Sequence, residues 1–152
     1  MTITVYGSPA PQGSKRFVGV KGGRGVMIES SKSVKPWREA VKFAALEALE
    51  EIDIGNHPQF QGKMVGPINV HMAFTVPKPK SAPKRLRTWP DRKPDLSKLV
   101  RSTEDALTDA GVWEDDARIV RCVASKVYPG EGVDALHIPG AVIRIEAVEA
   151  TK

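Results

Sequence analysis

Apolar and polar residues alternate over Thr2–Tyr6, and again through Ile68, Val70, Met72 and Phe74. A two-residue period marks a half-buried strand. Between these stretches the period changes. Val34, Trp37, Val41, Ala44 and Ala48 recur at helical spacing, and Ala45 and Leu49 widen the stripe. Ser33 suits the N-cap of this helix and Pro36 its first turn. A second helix is predicted over 96–110, with Asp95 as N-cap and Gly111 as its stop. Its apolar stripe is Leu96, Leu99, Val100, Thr103, Ala106, Leu107 and Ala110; Lys98, Arg101, Asp105 and Asp109 lie opposite. Residues 119–128 and 141–148 read as two further strands, joined by a loop with Pro129, Gly130, Gly132 and Pro139. Residues 17–28, with Gly19, Gly22, Gly23 and Gly25, read as a hairpin or loop. Residues 53–65, with Gly55, Pro58 and Gly62, read as a loop. The order β-(hairpin or loop)-α-β-α-β-β predicts an α+β fold with a mixed sheet and two main helices. No internal repeat interrupts it, and a single domain over 1–152 is expected.

One segment resists both periods. Residues 76–94 hold five prolines and seven Lys/Arg. Proline blocks helix and ladder alike, so this is an extended basic loop between strong elements. Charge is also blocked along the rest of the chain. Residues 1–42 carry net +6, 43–77 net −3, 78–101 net +7 and 102–152 net −5, within an overall +5. Two basic segments of this density predict an electropositive surface for a phosphate-rich ligand, against the plainer reading of a solvated face.

Composition narrows the class. The chain has 152 residues, 41% hydrophobic and 27% charged, which excludes wholesale disorder, collagen and coiled coil. No apolar run approaches the ~18 residues of a membrane span, and Met1–Gly7 has no basic-then-apolar leader pattern. The lone Cys122 excludes a disulfide scaffold and a cysteine zinc site and points to a reducing compartment, hence the cytoplasm.

The chemistry has to come from oxygen. Asp95, Glu104, Asp105, Asp109, Glu114, Asp115 and Asp116 are the acidic candidates. Hard divalent ions such as Mg2+ take carboxylates and waters. An acidic pocket beside a basic surface is what metal-assisted phosphodiester cleavage needs. The plainer readings are that Asp95 only caps a helix and that Glu114-Asp115-Asp116 is only a polar turn. Side-chain nucleophiles are poorly supported. His71 alternates onto the polar face of a strand, and no serine sits in a nucleophile elbow. Nor is there a P-loop for nucleotides, so no nucleotide cofactor is expected. Cys122 reads as a small filler and Trp37 as core. Trp113 is expected over a helix end. Trp89, inside the basic loop, either stacks on a base or anchors the loop.

Two stretches carry more than composition does. Lys93-Pro94-Asp95-Leu96-Ser97-Lys98-Leu99-Val100-Arg101, with Asp105-Ala106-Leu107-Thr108, is the first. Gly111-Val112-Trp113-Glu114-Asp115-Asp116-Ala117-Arg118-Ile119-Val120 is the second. Together they resemble the core of the RusA-type Holliday junction resolvases, crossover junction endodeoxyribonucleases common in phages and prophages. The opening Gly7-Ser8-Pro9-Ala10-Pro11-Gln12-Gly13-Ser14-Lys15-Arg16 is similar to that family's proline-rich basic turn. The resemblance implies a homodimeric, Mg2+-dependent endonuclease, with Mn2+ as substitute. Such an enzyme binds four-way DNA junctions and resolves them by paired nicks. It implies Asp95 and Asp116 as metal carboxylates, with Asp115 beside them. Arg101 falls at the family's catalytic lysine position, though arginine is not interchangeable with lysine. Phosphate contacts would come from Lys15, Arg16, Lys84, Arg85, Arg87, Arg92, Lys93 and Lys98.

The chain departs from the family at Ser97, where a second aspartate is usual. Asp115 or Asp91 compensates, or Ser97 holds a water, or the protein binds junctions and cuts poorly. The last option is the main alternative, a non-catalytic branched-DNA-binding protein of the same fold. A basic adaptor for other proteins is a third. Asp105 lies about 15 Å along the helix from Asp95 at ~1.5 Å per residue, too far to share a metal with it. If Asp95 and Asp116 do not converge, Asp105 with Asp115 or Asp116 is the second grouping.

Overall fold

The computed structural model describes residues 1–13, 15–29, 32–52 and 60–149. Ser14 of the opening turn, and Gly55, His57 and Pro58 of the expected 53–65 loop, lie outside them.

The alternating stretches form strands: β1 is Thr2–Tyr6, β4 is Ile68–Thr75, β5 is Ile119–Val127 and β6 is Gly140–Ala147. They make one mixed sheet in the order β1-β6-β4-β5. β6 runs antiparallel to β1 and β4, whereas β4 and β5 are parallel. A parallel pair needs a crossover rather than a hairpin, and helix α2, Leu96–Asp109, supplies it. The glycine-rich stretch is a separate two-stranded hairpin, β2 (Lys15–Lys21) with β3 (Arg24–Glu29). Helix α1 is Val34–Glu50. Ser33 holds its N-cap position, but its side chain makes no cap hydrogen bond.

Both helices lie on one face of the sheet. Ile68, Val70, Met72 and Phe74 of β4 are buried against Trp37, Val41, Leu99 and Leu107. Two buried polar links fix how the helices sit. Trp37 Nε1 donates to Thr103 Oγ1 at 3.1 Å, joining α1 to α2. Ser102 Oγ donates to the Ala10 carbonyl at 2.7 Å, joining α2 to the opening loop. Each satisfies a group that burial would otherwise penalise by about 1–3 kcal/mol.

The opposite sheet face is half covered. Residues 128–139 cross it, and Leu136 N donates to the buried Thr75 hydroxyl at 2.9 Å. That loop returns to the sheet at Gly140, where an added Cβ would stand 2.2 Å from the Val5 carbonyl. Only glycine fits so close a backbone approach. Trp113 is buried over the end of α2, and its Nε1 donates to Thr108 Oγ1 at 2.8 Å. Among the described residues no helix is long and apolar enough to cross a membrane.

Candidate active site between helix α2 and edge strand β5

Among the described residues strand β5 is an edge strand, paired only with β4. Its register sets which residues face the helices. Cys122, Ala124 and Lys126 stand opposite Val70, Met72 and Phe74, on the helix side. Arg121, Val123 and Ser125 point the other way by alternation. Helix α2 answers with a stripe of its own. Ser97, Arg101 and Glu104 are four and three residues apart, so they lie one above another on its outer face.

Asp95 starts that helix in an extended conformation, and its side chain makes no cap hydrogen bond. The plain reading of Asp95 as a cap therefore does not describe its carboxylate. The carboxylate is exposed and lies 3.5 Å from Lys98 Nζ.

A second cluster forms two turns further along. Glu104 is half-buried, and its carboxyl is held above the ordinary range. Burial is the main cause, then the negative charge of Asp116 and of Asp105, with Arg101 opposing. Cys122 is an exposed residue of β5, and partial burial of its thiol and then the Glu104 charge push that thiol up. Asp116, Asp105, Arg101 and Cys122 thus each lie within electrostatic reach of Glu104. Asp95 is nine residues from Glu104, about 13 Å along the axis, and its charged partner is Lys98.

The remaining acids have other partners. Asp115 Oδ1 accepts from Ala117 N at 2.8 Å and so caps the 3-10 turn Asp116–Arg118. Glu114 pairs with Arg118 at 2.8 Å. Asp109 and Asp105 reach Arg38 of α1 at 2.7 and 3.6 Å. Asp91 is exposed within the basic loop. Asp105, the helical member of the second grouping, thus has Arg38 as its ion-pair partner.

Among the described residues no three His, Cys, Asp or Glu side chains form a metal cage. Magnesium rarely uses one. It takes one or two carboxylates and fills the rest of its sphere with water and phosphate oxygen. A carboxylate pair whose mutual repulsion is offset only in part fits such an ion.

The basic loop leads into α2 and is tied at both ends. Near its start, Lys78 pairs with Glu131 and donates to the Leu86 carbonyl at 3.3 Å. Thr88 N donates to the other Glu131 oxygen at 3.0 Å. At its end, Lys126 Nζ donates to the Arg92 and Pro94 carbonyls at 2.7 and 2.8 Å. Between the ties Lys84, Arg85, Arg87, Arg92 and Lys93 are all exposed. Trp89 is 61% exposed, with the Arg87 guanidinium 4.4 Å from its ring centre. It stacks within the loop rather than anchoring it to the body. Lys15 and Arg16 belong to β2, but their side chains lie outside the described residues.

The Glu131 tie is pH-sensitive. The Lys78 bond, then the Thr88 amide, hold its carboxyl below the ordinary range. A lowered native value means the tie is intact above the unfolded value of about 4.3 and is lost as pH falls through the native one. The protection factor of the Thr88 amide, which removes the intrinsic dependence of exchange on pH, is therefore expected to fall on acidification in the wild type. In Glu131→Gln it should be low throughout. Exchange that is equally slow in both proteins would contradict the tie.

Carboxylates and an arginine along one helix face, following a cationic loop, are parts that a phosphodiester hydrolase uses. Residues 7–138 match the family described as Endodeoxyribonuclease RusA. The match covers most of the chain, so the chain belongs to this family of Holliday-junction-resolving endodeoxyribonucleases, enzymes that act on branched DNA. No curated protein gives a significant match.

Two site residues stand out only in three dimensions. Glu104 was one acid among seven by sequence. Its signal was its distance from Ser97, seven residues and two helical turns, which places both on one face. Lys126 had no signal beyond lying in a strand.

Proposed function

We propose that this chain is a Mg2+-dependent, structure-selective endonuclease that binds four-way junctions as a homodimer and resolves them by paired nicks. The observation that carries this reading is the outer face of α2, where Arg101 stands one turn before the half-buried Glu104 and Asp116 is among the charges acting on that carboxyl. Asp95 and Asp116 hold the ion. Glu104, about 13 Å along α2 from Asp95, is too far to share that ion with it and acts on Asp116 through its charge. Asp115 shapes the turn that presents Asp116. When bound, such an ion offsets charge developing at phosphorus and eases deprotonation of the attacking water, and Mn2+ substitutes for it. Arg101 stabilises the non-bridging oxygens. Lys84, Arg85, Arg87, Arg92, Lys93 and Lys98, with Lys15 and Arg16 of the hairpin, grip flanking phosphates, which positions DNA without reading bases. Recognition is then by shape, two cationic surfaces fixed by the two-fold axis of the dimer. The whole chain works as one domain, in the cytoplasm where its DNA lies.

The test is incubation with a synthetic four-way junction and Mg2+. Symmetric nicks in two opposed strands, absent from linear duplex of equal length, are expected. Tight junction binding without nicks in either Mg2+ or Mn2+ would favour a second reading, a branched-DNA-binding module. Ser97 is the observation on its side.

A further inference from the structure

The loop that delivers Asp95 has little means of holding itself. Pro90 and Pro94 have no amide hydrogen to donate. Asp91 N bonds only to the nearby Trp89 carbonyl, at 2.9 Å. Asp95 is fixed neither by a cap bond nor by more than an exposed ion pair with Lys98 at 3.5 Å. Yet its backbone is clamped on both sides. Its own carbonyl accepts from Leu99 N at 3.1 Å, the first bond of α2. The preceding carbonyl, of Pro94, accepts from Lys126 Nζ at 2.8 Å, and the same ammonium takes the Arg92 carbonyl at 2.7 Å.

Lys126 comes from the sheet, not the loop. It stands opposite the buried Phe74 on the helix side of β5. The rigid parallel pair β4–β5 therefore fixes where the ammonium sits. No carboxylate lies within ion-pair range of it among the described residues, so its bonding is directed to these two carbonyls. This is a charged donor spent on two neutral acceptors, an arrangement roughly twice as strong as neutral hydrogen bonds.

We propose that Lys126 is a positioning residue for the nuclease reaction: it clamps the chain at Arg92 and Pro94 and thereby aims the Asp95 carboxylate into the site. The clamp also couples the two halves of the machinery. Arg92 is the last arginine of the phosphate-gripping loop and Asp95 the first acid of the site, and one side chain spaces them. The proposal rests on the functional reading above, with Asp95 as a metal carboxylate.

The test replaces Lys126 by methionine, which keeps the aliphatic stem and removes the donors. Three quantities are measured: Mn2+ affinity without DNA by calorimetry, junction affinity without divalent ions, and the single-turnover cleavage rate in Mg2+. Second-sphere partners of metal ligands are worth about 10–100-fold. Lys126→Met is expected to weaken Mn2+ binding and slow cleavage by that order, with metal-free junction affinity within about threefold of wild type. Lys126→Arg retains donors for both carbonyls and is expected to lose far less. It also keeps the test alive if the methionine variant does not fold. Three results would overturn the proposal: cleavage and Mn2+ binding unchanged in Lys126→Met, junction affinity falling in step with cleavage, or an arginine variant as impaired as the methionine one. Failure of the underlying functional reading looks different, because the wild-type protein itself would then leave every junction uncut.

Discussion

Asp116→Asn is expected to reduce junction cleavage by more than about 100-fold while leaving junction binding near wild type. Losing a direct carboxylate should cost at least as much as losing an outer-sphere partner, itself worth about 10–100-fold. Asparagine has nearly the same volume, and Asp116 is exposed, so the turn Asp116–Arg118 keeps its cap from Asp115. Binding rests on cations elsewhere and should persist. Glu104→Gln is expected to slow cleavage by about 10–100-fold, the scale of an outer-sphere partner, whereas Asp109→Asn, whose carboxylate serves Arg38 at 2.7 Å, should cut normally. Stability separates a functional acid from a structural one. Glu104 has a raised carboxyl, so the native state loses stability as pH rises above the unfolded value and through the native one. Asp116 is one cause of that raised value, after burial. Asp116→Asn should therefore bring the Glu104 titration down toward the ordinary range and leave the melting temperature at neutral pH equal or higher. Carbon-detected NMR of the Glu104 carboxyl and a thermal melt read both. A variant that cuts at wild-type rate, or that loses cleavage only by unfolding, would remove Asp116 from the site.

The strands and helices were legible because each stretch buries one face with a clear period. Val70, Met72 and Phe74 alternate in the sequence and are buried together; Leu99, Thr103 and Leu107 do the same at helical spacing. Asp95 and Asp116 were singled out by the motifs around them, which local sequence carries. Glu104 was not, because its significance depends on β5 and the 3-10 turn coming back to meet α2. Pairing across a crossover has no local signature. Lys126 was hidden for a related reason: alternation says which way a strand residue points but not what waits there. Asp115 shows the converse. Adjacent to Asp116 in sequence, it looked like a second ligand, yet the extended backbone at 115 turns one of its oxygens to the Ala117 amide.

Replacing Lys84, Arg85 and Arg87 together by alanine is expected to lower the slope of log affinity against log salt by about 2.7, at roughly 0.9 per lost phosphate contact. Between 1 M salt, where the ionic contribution vanishes, and 0.15 M, that slope amounts to a loss of about 170-fold in junction affinity. All three side chains are exposed. The loop's ties run through Lys78, Thr88, Glu131 and Lys126 instead, so its backbone course should survive the substitution. The loss should fall almost equally on branched and linear DNA, because phosphate contacts fix position and carry no sequence information. Preference for the junction should therefore outlast the drop in affinity if two copies of the chain set the spacing between cationic surfaces. Cleavage at saturating protein should change little, since no member of the triple belongs to the carboxylate pocket. Fluorescence anisotropy titrations of labelled four-way and duplex DNA across a salt series measure the slope and the preference together. An unchanged slope would move the DNA path off this loop; a slope that falls as junction preference disappears would make the loop itself the reader of branched shape.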